Sequence, residues 1–246
     1  MKNIFTTLLI FISLCSFSQS TNQIDSQKRK QGPWEKYYPN SAMIKYKGQF
    51  KDNKPYGLFT YYYPSGRVEA QVRFLEGGRI TYSQVYHESS AKIKAMGKYI
   101  NQKKDSTWTY FDNRGNVKSK EKYINDKLNG QRVVYYEPVE GKYVVARYEY
   151  YKNNMLHGIF KEYHTNTKLK AEGNYVDGNL DGIVKYYHPN GKLERIERYK
   201  HAVKHGWWVF YNPDGTQAGE RLFWEGQLLK GKALEAKKAE LRANKG

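Results

Sequence analysis

One cysteine, Cys15, stands in the 246-residue chain, and it falls inside an N-terminal apolar segment. Disulfide staples, thiolate catalysis and Cys-ligated metal need thiols in the folded body, so stability has to come from packing alone. Long hydrophobic runs are as scarce. The run Ile4 to Leu14 covers 11 residues, well short of the roughly 20 a bilayer-spanning helix needs, and no second run follows it. No transmembrane helix is expected. Acidic residues are in deficit, 24 against 42 lysines and arginines, which makes the surface strongly cationic. The carboxylates present, such as Glu162, Glu172 and Glu194, are scattered without a Gly-rich phosphate loop or a nucleophile motif beside them. No enzyme class is supported, and neither a cofactor nor a metal is expected.

The first residues carry a targeting pattern. Lys2 precedes the apolar run, and the small, polar stretch Cys15-Ser16-Phe17-Ser18-Gln19 follows it, the order of a secretory signal peptide. Ser16 and Ser18 occupy the two small-residue positions before the cut, so residues 1–18 are expected to leave and Gln19 to become the new terminus. The chain is then expected to be secreted or periplasmic. Lipidation at Cys15 is the rival reading, disfavoured by the large Leu14 before it. Removing Lys2 leaves 41 basic against 24 acidic residues, a net charge of +17. Residues 19–31, polar and basic, read as a linker without pattern.

What fills residues 32–230 is repetition. Repeats open at Gly32, Gly57, Thr81, Ser106, Gly130, Gly158, Gly182 and Gly206, with spacings of 25, 24, 25, 24, 28, 24 and 24 residues. Five residues after each opening stands an aromatic: Tyr37, Tyr62, Tyr86, Phe111, Tyr135, Tyr163, Tyr187 and Tyr211. These eight form a candidate surface ladder. A second aromatic ladder runs through Phe50, Phe74, Tyr99, Tyr123, Tyr151, Tyr175, Tyr199 and Phe223. Turn signals separate them. Pro64-Ser65-Gly66, Asn113-Arg114-Gly115, Pro189-Asn190-Gly191 and Pro213-Asp214-Gly215 end the first strand of their repeats. Asp52-Asn53, Asn125-Asp126, Asn153-Asn154 and Asp177-Gly178, tolerant of left-handed backbone, end the second.

Two antiparallel strands per repeat with such short connections predict an all-β fold, an elongated single-layer β-meander of about eight tandem hairpins. Sixteen strands at about 4.8 Å each give a sheet about 75 Å long. Trp208 and Phe210 alternate with Trp207, Val209 and Tyr211, so rings are expected on both faces, neither wholly buried nor wholly wet. Residues 231–246, with Leu234 and Leu241 among alanines, lysines and acids, read as a basic helical tail. Its expected role is to cap the last hairpin, with a cationic anchor as the alternative.

The segments Gly206-Trp207-Trp208-Val209-Phe210-Tyr211 with Asp214-Gly215, and Gly182 to Tyr187 with Asn190-Gly191, resemble MORN repeats, and most of all the bacterial variant often grouped with antitoxin-like proteins of toxin–antitoxin systems. The resemblance covers about residues 32–230. It implies the hairpin-repeat fold and a role in interaction or membrane-associated scaffolding. The glycine-x-glycine step of the eukaryotic repeat is missing, so lipid binding is not carried over.

Two repeats depart from the pattern. In the third, Ser83 replaces the usual large residue two after the opening, and Gly77-Gly78 precedes it; the fifth carries four extra residues around Glu137-Pro138-Val139-Glu140-Gly141. Histidines make poor metal ligands here, since His164 and His188 lie one repeat apart, about 9.6 Å, and His157 and His205 two repeats apart, about 19 Å. The function expected is a non-catalytic binding scaffold outside the cytoplasm. Its aromatic and basic repeat surface would engage a protein partner or an anionic envelope polymer or lipid, which includes peripheral membrane contact. Nucleic acid is not expected as a partner, because the signal peptide sends the chain away from it. The alternative is an antitoxin-like or immunity protein that neutralises a cognate toxin.

Overall fold

The computed structural model describes residues 20–243. The expected cleavage between Ser18 and Gln19, and Cys15 with it, lie outside the described residues. Each strand pairs antiparallel with its neighbours in sequence, giving one long open sheet of consecutive hairpins that ends in the helix Gly231–Ala243. The stretch read from sequence as a linker carries structure: Gln23–Ile24 pairs with Lys30–Tyr37. Asp25 organises that turn, accepting hydrogen bonds from the Gln27 and Arg29 amides and from the Arg29 and Gln31 side chains. These bonds hold its carboxyl well below the usual range.

Seven of the eight repeat openings have left-handed backbone, and all of these but Gly32 are bulges. Gly32, Gly57, Ser106, Gly130, Gly158, Gly182 and Gly206 all have positive φ, between 62° and 113°. The ladder is interrupted at the bulges, as between Lys47 and Gln49 or between Met96 and Lys98. Just before each bulge a two-residue turn has both residues at positive φ, as in Asp52-Asn53 (51° and 65°) and Asn153-Asn154 (50° and 71°), which matches the right-handed twist of the strands. The third repeat is built otherwise. Glu76, Gly77 and Gly78 form a longer turn, and Val68–Leu75 then pairs with Ile80–Tyr86 without any register shift.

The two faces of the sheet are not alike, which corrects the expectation that both are half-wet. One is sealed by the residues two after each opening. Phe59, Trp108, Phe160, Val184 and Trp208 are buried, and each packs against rings of the second aromatic ladder: Phe59–Phe74 at 4.8 Å, Tyr99–Trp108 at 4.8 Å, Phe160–Tyr175 at 5.0 Å and Trp208–Phe223 at 4.6 Å. Glycines make room for these rings. A Cβ on Gly48 would stand 2.3 Å from the Phe59 ring, and one on Gly97 would stand 2.4 Å from Trp108. The opposite face is open, carrying Leu58, Tyr82, Met96, Ile159 and Ile183, all exposed. Rings do stand on both faces, as Tyr82 does on the open one, and in the last repeat the C-terminal helix covers that open face. Lys238 lies over Trp207 and Lys237 over Trp224, while Leu222, the cross-strand partner of Trp207, is 1% exposed.

In the fifth repeat the sealed face changes chemistry. Arg132 stands where most other repeats have a ring, between Glu121 (3.0 Å) and Glu149 (2.7 Å), and Arg147, two residues before Glu149 on the same strand, also pairs with it. Tyr151 also donates to Glu149, which is 2% exposed. The four-residue insertion is a loop on the rim, closed by a bridge between Val139 and Lys142.

Candidate binding surface

A second irregularity decides where the first aromatic ladder lies. In all eight repeats the pairing register shifts just before the aromatic five after the opening, so Tyr37, Tyr62, Tyr86, Phe111, Tyr135, Tyr163, Tyr187 and Tyr211 line the rim beside the turns that end the first strands. Members of this ladder do not stack on one another among the described residues. Their hydroxyls turn to polar groups of the open face instead. Tyr37 donates to Glu35, Tyr86 to Gln71 and Tyr187 to Glu172. Partial burial and the Glu172 bond push the Tyr187 phenol up to about 12.

The carbonyls of the same residues serve a second purpose. The residue six after an opening reaches across to the next repeat: Tyr38 donates to the Tyr62 carbonyl (2.6 Å), Tyr63 to Tyr86 (2.8 Å) and Tyr136 to Tyr163 (2.8 Å). His87, His164 and His188 bond the carbonyls of Phe111, Tyr187 and Tyr211 through Nε2. Because a carbonyl only accepts, these nitrogens carry the proton. Lys168 and Lys192, which recur by repeat, are similarly engaged. Their ammonium groups bond the Asn190 and Asp214 carbonyls of the next turn at 2.7 and 2.5 Å. They act as staples between turns.

Free positive charge lies elsewhere, on the open face. Along the strand Val117–Ile124, Lys118, Lys120 and Lys122 alternate outward and are exposed, while Ser119, Glu121 and Tyr123 turn to the sealed side. Residues two apart on one face of a strand sit about 6.8 Å apart. None of the three lysines makes an ion pair among the described residues, and the same holds for Arg73 and Lys185 on the same face. Other cations there are matched: Lys47 with Glu35 (2.9 Å) and Lys98 with Asp105 (3.6 Å). Beside the lysine strand a row of cross-strand partners, Leu58, Arg73, Tyr82 and Lys98, lines a trough of about 680 Å³. The face therefore combines unpaired cations with exposed apolar surface. The signal was in the sequence as alternation within Val117-Lys118-Ser119-Lys120-Glu121-Lys122, but only the strand register tells that its acid faces away.

A family profile described as a MORN repeat variant matches residues 156–177 and 180–201, which are the sixth and seventh repeats. Among curated proteins none matches the chain. No helix among the described residues is long and apolar enough to cross a membrane.

Proposed function

We propose that the chain is a non-catalytic scaffold acting outside the cytoplasm, and that it binds an anionic component of the cell envelope through the open face of its sheet. The observation that carries this reading is the row of Lys118, Lys120 and Lys122, exposed on one face with no carboxylate paired to them among the described residues. A repeat sheet suits the task because each hairpin adds another row of contacts without changing the backbone. Single exposed ion pairs contribute at most about 1 kcal/mol and are screened beyond roughly 8 Å at physiological salt, so binding has to rest on several contacts together. Exposed Leu58, Tyr82 and Met96 add apolar contact beside the charges. Toxin neutralisation rests on the resemblance alone, and no residue arrangement here favours it.

Co-sedimentation with anionic and neutral vesicles, and with cell-wall polymer, across a salt series tests the reading. Binding should be confined to the anionic partners and fall steeply with salt. The triple substitution Lys118→Ser, Lys120→Ser and Lys122→Ser should weaken it by more than about ten-fold, since each lost contact to an anion is worth up to about 1 kcal/mol. Salt-independent binding, or full binding by the triple variant, would overturn the assignment.

A further inference from the structure

On the sealed face the third repeat leaves a gap in the aromatic packing, and three local differences open it. Ser83 stands where Phe59 and Trp108 stand in the flanking repeats, so Phe74 leans back on Phe59 and Tyr99 leans forward on Trp108, each at 4.8 Å. No ring contact joins Phe74 to Tyr99. The residue two before each opening is the second difference. Lys30, Lys104 and Lys204 fold over the rings of their own repeats at 4.6–4.7 Å, but Arg79 turns into the Glu76 carboxylate instead. Third, the longer turn brings Gly78 to the site, where a Cβ would meet Pro55 at 3.4 Å and Phe74 at 3.7 Å. The result is a cleft of about 530 Å³ walled by Phe74 and Tyr99, with Pro55, Gly78, Thr81 and Gln102 around it.

The chemistry of this cleft is specific. Phe74, Thr81 and Tyr99 are direct partners on three successive strands, so the two aromatic walls spring from backbones about 9.6 Å apart. A ring in van der Waals contact with both walls needs about 7–8 Å. Thr81 is only 8% exposed and lines the cleft, and its hydroxyl makes no hydrogen bond to the rest of the described protein. The Gln102 amide is likewise unbonded, whereas Asn53, Asp126 and Asn154 at the matching turn position each accept a backbone amide. No charged side chain lines the space. Two apolar walls, a hydroxyl and an amide, without charge, match a ring whose faces are C–H and whose edges are hydroxyls.

We propose that the cleft between Phe74 and Tyr99 is a binding site for a neutral pyranose residue of a glycan, stacked between the two rings and hydrogen-bonded by Thr81 and Gln102. This deepens the reading of the chain as an envelope-binding scaffold and rests on it, with the lysine face holding the anionic component and the cleft a sugar unit.

The test is saturation-transfer NMR on the full chain with cellotetraose, maltotetraose, chitotetraose and mannotetraose, and with free tryptophan as a competing flat ring. Saturation should reach the ring protons of at least one tetrasaccharide, and that sugar should then give a measurable affinity by calorimetry. Thr81→Val, isosteric and β-branched like the original, should weaken it about ten-fold, the loss expected for one buried hydrogen bond. Ser83→Phe should abolish it, because the matching rings in other repeats lie 4.6–5.0 Å from the second-strand aromatic and would fill the gap. Both variants should sediment with anionic vesicles as the parent does, and the lysine triple variant should keep its sugar binding. Saturation of none of the four sugars, saturation of tryptophan alone, or sugar binding that survives both substitutions would overturn the site while leaving the lysine face standing.

Discussion

At the scale of single residues, the sheet depends on alternating large and small partners across strands. Gly48 and Gly97 lie under Phe59 and Trp108, and their missing side chains let these rings lie close to the backbone. Gly219 is an internal control: it sits in a strand, its φ is not left-handed, and a Cβ there would meet nothing within 4 Å. Gly97→Ala should therefore destabilise the chain by about 1–3 kcal/mol through overpacking, whereas Gly219→Ala should change stability by about 0.5 kcal/mol or less. Urea unfolding followed by tryptophan fluorescence distinguishes them, and equal shifts in midpoint would show that the sealed face does not depend on these contacts. The same residues mark a limit of sequence reading. A glycine in a strand carries no label saying which ring lies above it.

Elements join through two sets of bonds, and they were unequally legible in the sequence. The hairpin turns were plain, since Asp52-Asn53 and Asn153-Asn154 are residue pairs that tolerate left-handed backbone, and the structure has both at positive φ. Periodicity likewise foretold the antiparallel meander. What it did not show is that most of the openings are bulges, because a glycine at the head of a strand looks the same whether it begins pairing or interrupts it. The opening bulge puts Trp208 in the sealed layer, and a second register shift, between Tyr186 and Tyr187, places Tyr187 on the turn rim. Nothing in the sequence around Lys192 marks its bond to the Asp214 carbonyl, which appears only when adjacent turns are stacked. His188 donates to the Tyr211 carbonyl from a part-buried position, so His188→Ala should cost about 0.5–1.5 kcal/mol. His188→Tyr should recover most of that, because Tyr38, Tyr63 and Tyr136 make the same bond in other repeats. Thermal melts of the two variants decide the point, and a tyrosine no better than alanine would rule out the staple.

Across the whole molecule the sealed face is two aromatic layers joined by a charged one. Trp34, Phe50, Phe59 and Phe74 connect ring to ring in the first repeats at 4.8–5.7 Å, and Tyr99 and Trp108 resume the layer on the far side of the third-repeat gap. Beyond the fifth repeat Phe160, Tyr175, Tyr199, Trp208 and Phe223 form the second layer. Between them stand Glu121, Arg132 and Glu149, and the rim staple is broken at the same junction. Asp112, in the position of the donating tyrosines and histidines, accepts bonds from Arg114 and Asn116 instead. In a repeat array stability is the sum of each unit and its interfaces with neighbours, so cooperation between the two ends passes through this one interface. Replacing one partner of a buried ion pair costs about 3–5 kcal/mol, because the other charge is left without compensation; Arg147 beside Glu149 should hold the loss toward the lower figure. Arg132→Ala is thus expected to weaken the junction more than either layer. Trp34 and Trp108 report on the first layer and Trp208 on the second, while hydrogen exchange resolves the repeats one by one. The parent should unfold in one transition, and Arg132→Ala in two, with exchange of the fifth repeat tracking the earlier step. A single coincident transition in the variant would show that the halves are coupled by something other than the charged layer.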